Sequence, residues 1–228
     1  MTHFVLVPSA WLPGDVFAEV GRHLAGAGHH PVPVTLPGIG HAVDGEPTLD
    51  GWIDHVVGQV TALPEHDDVV LAGHSFSGLV VGPAAAKLGA RLRRLVFIDA
   101  NVPEPGRSFA QSWSPAGQAW LAEEIERGGG SWPPDLAQEA TGLDDDGQRL
   151  IEGLAVPMPA QPLYAVPPEP SLPTIDTTYL HCTVPRPTLP AEVSAVADDR
   201  AWSIVEIEAT HWPMICGPRR VAEILAAT

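Results

Sequence analysis

The hexapeptide Gly73–Gly78, with the sequence GHSFSG, places a serine among small residues at the junction of two predicted elements. It directly follows the apolar run Asp68–Ala72 and leads into a helical run that begins at Ser77. A serine in a sharp strand–turn–helix connection is held in strained geometry with its hydroxyl exposed, an arrangement called a nucleophile elbow. The pattern predicts that Ser75 attacks a carbonyl carbon while the backbone N–H of Phe76 stabilises the resulting oxyanion. The plainer alternative is a turn that only links the strand to the helix.

One position departs from the usual elbow pattern, in which a glycine stands two residues after the nucleophile. Here Ser77 occupies that position and the glycine follows as Gly78. Serine is small enough for the turn to survive. We therefore expect an intact elbow with an added hydroxyl near the start of the helix.

Short apolar, β-branched runs alternate with helical patterns along the chain, which predicts βαβ units and a mostly parallel sheet. The predicted strands are His3–Pro8, Pro31–Leu36, Asp68–Ala72, Leu92–Asp99, Thr177–Cys182 and Trp202–Ile207. The predicted helices are Asp15–Ala27, Thr48–Leu63, Ser77–Leu88, Pro190–Asp199 and Pro218–Ala227. Strands this continuously apolar are typical of a sheet covered by helices on both faces.

The stretch 101–173 interrupts this alternation. It combines a triple glycine, an Asp144–Asp146 run and many prolines with two helical patterns, Gly117–Arg127 and Leu143–Leu154. We interpret it as a Pro-rich cap inserted into a single domain, 1–228, whose core comprises 1–100 and 174–228. Its charge is strongly acidic.

Composition excludes several classes of function. The chain has 228 residues and a formal charge of −16, with 28 acidic against 12 basic side chains. Phosphate backbones and anionic lipids are bound through Lys and Arg, so we expect no nucleic-acid and no membrane partner. No charged leader precedes the first strand pattern, which favours a cytoplasmic protein. Cys182 and Cys216 share no metal-ligand spacing and form no disulfide framework, and we expect neither a metal nor a cofactor.

Seven stretches distributed along the chain carry a family resemblance. They are FVLVPSAW (Phe4–Trp11), LPGIGH (Leu36–His41), GHSFSG, LVFIDANVPEPGRSF (Leu95–Phe109), QPL (Gln161–Leu163), YLHCT (Tyr179–Thr183) and THWPMICGPRRVAEIL (Thr210–Leu225). They resemble the compact group of α/β-hydrolases that contains plant methylesterases, salicylate esterases, hydroxynitrile lyases and bacterial small-molecule esterases. The resemblance implies an α/β-hydrolase fold with a six-stranded sheet.

The resemblance also implies a Ser–His–acid triad. The histidine maps onto His211, between the last strand and the final helix, where an imidazole can take the serine proton and return it. The acid is less clear, because the loop after Thr177–Cys182, where the family places an aspartate, contains no carboxylate. Asp99, at the end of the preceding strand, is the favoured acid. Glu192, or no acid at all, is the alternative.

The loop after the first strand departs from the family pattern as well. Where relatives have His-Gly, this chain has Pro8-Ser9, and the second oxyanion donor becomes the N–H of Ala10. Ser9 lies where hydroxynitrile lyases have a threonine, which indicates contact with substrate. Those lyases also use a lysine directly after the catalytic histidine, and Trp212 stands there, which disfavours cyanohydrin cleavage.

Tryptophans are concentrated in the segments that should surround Ser75. We expect the substrate pocket to include Ser9, Trp11, His74, Trp113, Trp120, Trp132 and Trp212, with His41 within reach. Indole rings supply large apolar surfaces, so a neutral or apolar small molecule with a bulky or aromatic group is the expected substrate. The alternative for any one of the cap tryptophans is that it only packs the cap onto the sheet.

The sequence therefore predicts a serine hydrolase that cleaves an ester, thioester or lactone through an acyl-enzyme on Ser75. One alternative keeps the fold and uses Ser75 and His211 as an acid–base pair in a lyase, cyclase or retro-aldol-type reaction. A second is a non-catalytic small-molecule binding protein, since fold alone does not decide function. The sequence is compatible with a homodimer and leaves the oligomeric state open.

Proline is in excess, with 25 residues in the chain. The densest parts, Pro157–Pro173 and Pro185–Pro190, flank the strand beside the expected acid loop, and Pro8 lies in the oxyanion loop. Because proline fixes its own φ, we expect these segments to form a stiff rim around Ser75.

Overall fold

The computed structural model describes residues 1–136, 142–169 and 171–227. Its strands are β1 (Thr2–Val7), β2 (His30–Pro33), β3 (Asp68–His74), β4 (Arg94–Ile98), β5 (Ser131–Trp132), β6 (Met158–Pro159), β7 (Thr177–Cys182) and β8 (Ser203–Ile207). Six of them form one sheet in the order β2-β1-β3-β4-β7-β8, and each pairing in it is parallel. The predicted six-stranded sheet is confirmed.

Side chains of each inner strand alternate between two buried cores, as the two-residue period of a strand requires. Val5 and Val7 of β1 belong to one core, and Phe4 and Leu6 belong to the other. The first core also contains residues of α2 (Leu49–Thr61) and α3 (Gly78–Leu88), and the second contains residues of α1 (Ala18–Gly26) and α10 (Pro218–Ala227). Helices therefore cover both faces.

The segment between β4 and β7 contains short elements that pack above the sheet. They are α4 (Phe109–Ser112), α5 (Pro115–Arg127), the antiparallel pair β5 and β6, α6 (Asp145–Leu154) and α7 (Gln161–Tyr164). The two longer helices lie within two residues of their predicted limits. The β5–β6 pair was not predicted, because two-residue strands leave no detectable alternation.

Two further helices lie in the last part of the chain, α8 (Ala191–Arg200) after β7 and the short α9 (Pro213–Cys216) between β8 and α10. The second strand is shorter than the predicted Pro31–Leu36, although the N–H of Val34 still donates to the carbonyl of Leu6. Within the described ranges, no helix has the length and apolar character needed to cross a membrane.

Candidate active site

The carboxyl ends of the parallel strands bring together side chains that are far apart in sequence. Ser75 follows β3, Asp99 follows β4, and Arg186 lies in the loop after β7. His211 follows β8, and Ala10 follows β1. These five residues line one cavity at this edge of the sheet, which is where parallel α/β sheets usually bind ligands.

Ser75 has the strained backbone of a nucleophile elbow, with φ at +53°. Close packing on both sides explains the glycines that flank it. A Cβ on Gly73 would lie 2.5 Å from a methyl of Val81, and a Cβ on Gly78 would lie 1.9 Å from the carbonyl oxygen of Asn101. On the helix side of Ser75, the position that has no room for a side chain is therefore Gly78 and not residue 77. This explains why the glycine stands one residue later than usual.

Ser77, at the position where the family has glycine, is fully buried. Its hydroxyl donates a hydrogen bond to the carbonyl of Pro8 in the loop after β1. This bond ties the elbow to the loop that carries Ala10. Ala10 and Phe76, whose N–H groups are the predicted oxyanion donors, both line the cavity beside Ser75.

The loop after β1 is also attached to the cap. Trp11 adopts a left-handed backbone with φ at +66°. Its indole N–H donates to the carbonyl of Trp132 at 3.1 Å. The N–H of Val156 donates to the carbonyl of Trp11 at 2.9 Å. Two cap segments therefore hold the loop in place.

Asp99 and His211 form a direct hydrogen bond of 2.6 Å between Oδ2 and Nδ1. Asp99 is buried and has φ at +43°, and its own N–H donates to the carbonyl of Leu180 at 2.8 Å. With Nδ1 engaged, Nε2 is the nitrogen of His211 that remains for Ser75. Among the described residues no hydrogen bond joins Ser75 Oγ to His211, and such bonds often tighten only when substrate binds.

Arg186 contacts the same carboxylate, with Nη2 2.8 Å from Asp99 Oδ2. Burial acts to raise the pKa of Asp99, but the hydrogen bond from His211 and the positive charges of His211 and Arg186 outweigh it and lower that pKa. Asp99 is thus held as a carboxylate. No sequence pattern predicted this role for Arg186, although it lies in the loop after β7, which lacks the carboxylate expected from the family.

Glu192, the alternative acid, lies in the first turn of α8 and lines the cavity. The hydrogen bond at Nδ1 of His211 goes to Asp99 instead. The structure therefore brings Asp99 to the histidine and leaves Glu192 on the cavity wall.

The cavity has a volume of about 910 Å³, which is at the upper end of the usual range for small-molecule sites. One wall is aromatic. The rings of Trp11 and Trp132 are 4.2 Å apart, Trp113 lies edge-on to Trp132 at 5.9 Å, and Phe109 contacts both Trp113 and Phe76. The cavity is also lined by charged side chains, among them Glu104, Arg107, Arg186 and Glu192.

Comparison with known proteins identifies the family. A model of the alpha/beta hydrolase family matches residues 4–224. The chain belongs to the alpha/beta hydrolase family. This confirms the resemblance and the fold predicted from the sequence.

Two curated relatives of this α/β-hydrolase represent different chemistries. It is 39% identical over 112 residues to the carbendazim hydrolyzing esterase of Nocardioides sp. (strain SG-4G), an alignment that covers 48% of this chain and 46% of the relative. It is 32% identical over 107 residues to an alpha-hydroxynitrile lyase of Arabidopsis thaliana, covering 45% of this chain and 41% of the relative. The chain thus spans less than half the length of these relatives.

A solved structure aligns over nearly the whole length of both chains. It is the extracellular alpha/beta-hydrolase from a Paenibacillus species that shares structural and functional homology with Tobacco Salicylic Acid Binding Protein 2. The TM-score is 0.84 at 20% identity, and the alignment covers 100% of this chain and 98% of that one. The likeness shows that the two share a fold.

Three of the predicted substrate contacts of the α/β-hydrolase do not lie on the cavity. His74 is completely buried, and its Nε2–H donates to the carbonyl of His211 at 2.7 Å. Burial and the neighbouring His211 lower the pKa of His74 to about 3, so its ring is neutral. Trp212 is also completely buried, and its ring packs against those of His74 and His211. Both residues support His211 from behind.

Trp120 is the third predicted contact that does not line the cavity. It stacks on Trp113 at 5.8 Å, and Trp113 is the ring that lines the cavity. Ser9, Trp11, Trp113 and Trp132 do line the cavity, as expected. His41 is exposed and bonds to the carbonyl of Ile39 at 2.9 Å, outside the cavity lining.

The proline rim also needs correction. Pro185 and Pro190 line the cavity, but no described proline of 157–173 does. Pro170 lies outside the described residues. Pro173 instead lines a separate cavity with Ser203, at the amino-terminal edge of the sheet.

Proposed function

We propose that this α/β-hydrolase is a serine esterase that acts through a covalent acyl-enzyme. The observation that carries the proposal is the direct Asp99–His211 hydrogen bond of 2.6 Å at the cavity that also contains the strained Ser75. A nucleophile, a base and an acid that orients the base are the three parts that acyl transfer requires.

In the first half-reaction, Ser75 Oγ attacks the carbonyl carbon of the ester while Nε2 of His211 takes the hydroxyl proton. Asp99, held as a carboxylate, fixes the Nδ1–H tautomer of His211 and stabilises the imidazolium. The tetrahedral intermediate then expels the alcohol, which receives its proton from His211. Ser75 is left as an acyl ester.

The second half-reaction returns Ser75 to its free form. His211 removes a proton from water, whose oxygen attacks the acyl carbon, and the same proton passes to Ser75 Oγ as the acid is released. The N–H groups of Phe76 and Ala10 hold the oxyanion in both steps, a contribution that typically accounts for 10²–10³ in kcat per donor.

The aromatic wall supports a neutral substrate with an aromatic or bulky apolar group. Trp11, Trp113, Trp132 and Phe109 present flat apolar surfaces to the cavity, against which an aryl group can stack. The relation to a carbendazim hydrolyzing esterase supports hydrolysis of a small molecule. A thioester or a lactone would react through the same steps.

A lyase reaction has less support, although one matched relative is an alpha-hydroxynitrile lyase. The family resemblance implies a lysine in those lyases at the position of Trp212. Trp212 is completely buried and lies outside the cavity. The cation that such a reaction would use at this position is therefore replaced by a packing residue.

The proposal is tested by ester hydrolysis with the Ser75→Ala variant. We expect the wild type to hydrolyse aryl esters, and the variant to lose at least about 10⁴-fold in kcat. Ser203→Ala, at the opposite edge of the sheet, controls for serine replacement and should retain activity. Equal turnover by wild type and Ser75→Ala would refute the proposal.

A further inference from the structure

A single carboxylate oxygen in this site accepts hydrogen bonds from two basic side chains. Asp99 Oδ2 is 2.6 Å from Nδ1 of His211 and 2.8 Å from Nη2 of Arg186. The other oxygen, Oδ1, accepts the backbone N–H of Cys182 at 3.4 Å. Hydrogen bonds to a carboxylate from a guanidinium are among the stronger ones in proteins. Arg186 is thus placed to fix the rotation of the Asp99 carboxyl group.

Burial differs sharply between the partners. The side chain of Asp99 is 3% exposed, that of His211 is 22% exposed, and that of Arg186 is 57% exposed. The guanidinium therefore reaches inward from the cavity rim to a carboxylate that solvent does not reach. Removing it should change the electrostatics of the pair without opening the core.

The other titratable groups packed against the Asp99–His211 pair lie on β3 and β7. Behind it, the pKa of His74 is lowered to about 3 by burial, which leaves that ring uncharged. On β7, burial raises the pKa values of Tyr179 and Cys182, so both keep their protons. His181 Nδ1 lies 3.8 Å from Asp99 Oδ1, the oxygen that does not bond to His211.

Charges on the cavity walls do not replace Arg186. From α8, Glu192 adds negative charge at the wall. Arg107 is paired with Glu104 at 2.7 Å and forms no described ion pair with Asp99. Cys216, the last residue of α9, contacts the hydroxyl of Thr210 in the loop before that helix.

We propose that Arg186 is a positioning residue that holds the Asp99 carboxylate on His211 Nδ1 and opposes proton uptake by the Asp99–His211 pair. The inference rests on the proposed function, because it assigns Arg186 a role within the same triad. Relatives are expected to carry the triad acid in the loop after β7. Here that loop supplies Arg186, whose guanidinium binds the acid that follows β4.

The direction of the effect follows from charge. A fixed positive charge near Asp99 disfavours the additional proton that would convert His211 into an imidazolium, which cannot act as the base. With Arg186 present, His211 therefore stays unprotonated, and able to act as the base, down to a lower pH. Removing the charge should move the acid limb of kcat/KM to higher pH, by about half a unit to one unit for a half-exposed guanidinium screened by solvent.

The experiment compares four variants. Arg186→Gln keeps a donor and removes the charge, Arg186→Met removes both, and Arg186→Lys keeps the charge. Arg107→Gln removes a matched arginine from the same cavity rim without touching Asp99. For each protein, the acid limb of kcat/KM is measured with an aryl ester, and the His211 ring Cε1–H signal, assigned with His211→Asn, is followed by NMR against pH.

We expect the Gln and Met variants to shift both the kinetic limb and the NMR transition upward by about half a unit to one unit. For Arg186→Lys, the pH of the acid limb and of the NMR transition should stay near the wild-type value. Arg107→Gln should leave the pH of the acid limb unchanged, whatever its effect on KM. Gln and Met transitions at the wild-type pH, or below it, would overturn the proposal. The NMR transition is readable without turnover, so a protein that hydrolyses no ester but shows the shift would refute the proposed function and support the role of Arg186.

Discussion

Asp99 Oδ2 and His211 Nδ1 lie 2.6 Å apart although 112 residues separate them in the chain. The sheet produces this contact, because Asp99 follows β4, His211 follows β8, and only β7 lies between those strands. An acid placed after β4 therefore reaches the histidine across one intervening strand. The loop after that strand contributes Arg186 instead of an acid.

Replacing Asp99 should impair catalysis far more than replacing Glu192. Asp99→Asn cannot hold the Nδ1–H tautomer of His211 by a charge, and losses of about 10⁴-fold in kcat are known for triad acids. Glu192→Gln removes a carboxylate from the cavity wall without touching His211 Nδ1, and we expect a change of less than about tenfold. The measurement is kcat/KM for an aryl ester. Unchanged kcat/KM in Asp99→Asn would remove Asp99 from the triad.

The hydroxyl of Ser77 should matter for kcat as well as for stability. Ser77→Ala leaves the carbonyl of Pro8 without its buried donor, which costs about 1–3 kcal/mol in the free energy of unfolding. Because this bond ties the elbow to the loop of Ala10, we also expect kcat to fall about 10- to 100-fold with little change in KM. Ser77→Gly, which restores the usual family residue, should behave like Ser77→Ala. Lower stability with unchanged kcat would show that the bond has a structural role only.

Two tryptophans that are adjacent in space should contribute differently to substrate binding. Trp113→Leu removes a ring from the cavity, and the KM for an aryl ester should rise about fivefold, since an aromatic contact contributes about 1 kcal/mol beyond its buried area. Trp120→Leu alters the layer behind it and should change KM less than about threefold. Steady-state kinetics on both variants checks this. Equal effects would mean that the two rings support the wall together.

Buried His74 should make the folded state sensitive to acid. The pKa of His74 is lowered to about 3 in the folded protein, whereas an unfolded histidine titrates near 6.5. Between these values unfolding takes up a proton, so the free energy of unfolding falls by about 1.4 kcal/mol for each pH unit of acidification. His74→Asn places a neutral amide at this position and removes the titration.

Urea unfolding between pH 4 and pH 5.5 measures the difference. We expect the stability of His74→Asn to depend on pH less steeply than that of the wild type, by the equivalent of about one proton. His66→Asn, at a side chain that is 86% exposed, serves as the control for replacing a histidine. Identical slopes for wild type and His74→Asn would contradict a buried neutral His74.

Local patterns were sufficient for the six strands of the sheet, for the longer helices and for the elbow. The apolar run before Gly73 and the helical run after Ser77 identify Ser75 without knowledge of distant contacts. Asp99 could be proposed only because the expected acid loop contained no carboxylate. Its partner Arg186 could not, since an ion pair across 87 residues leaves no periodic signal in the sequence.

For His74 and Trp212 the incorrect prediction has one physical cause. His74 and Trp212 each adjoin a predicted catalytic residue, and proximity in sequence suggested that they face the same cavity. Neighbouring side chains of an extended chain point to opposite sides, and both residues are completely buried behind the site. Trp120 is separated from the cavity by Trp113, an order that the sequence of the cap does not reveal.

The proposed mechanism depends most directly on Ser75 as a covalent nucleophile. A fluorophosphonate probe, followed by tryptic digestion and mass spectrometry, tests this on the intact protein. The tryptic peptide 23–87 contains two serines, Ser75 and Ser77, so fragmentation can distinguish them. We predict one adduct, on Ser75, that is absent in Ser75→Ala and forms more slowly in His211→Ala. No adduct, or an adduct that persists in Ser75→Ala, would contradict the account.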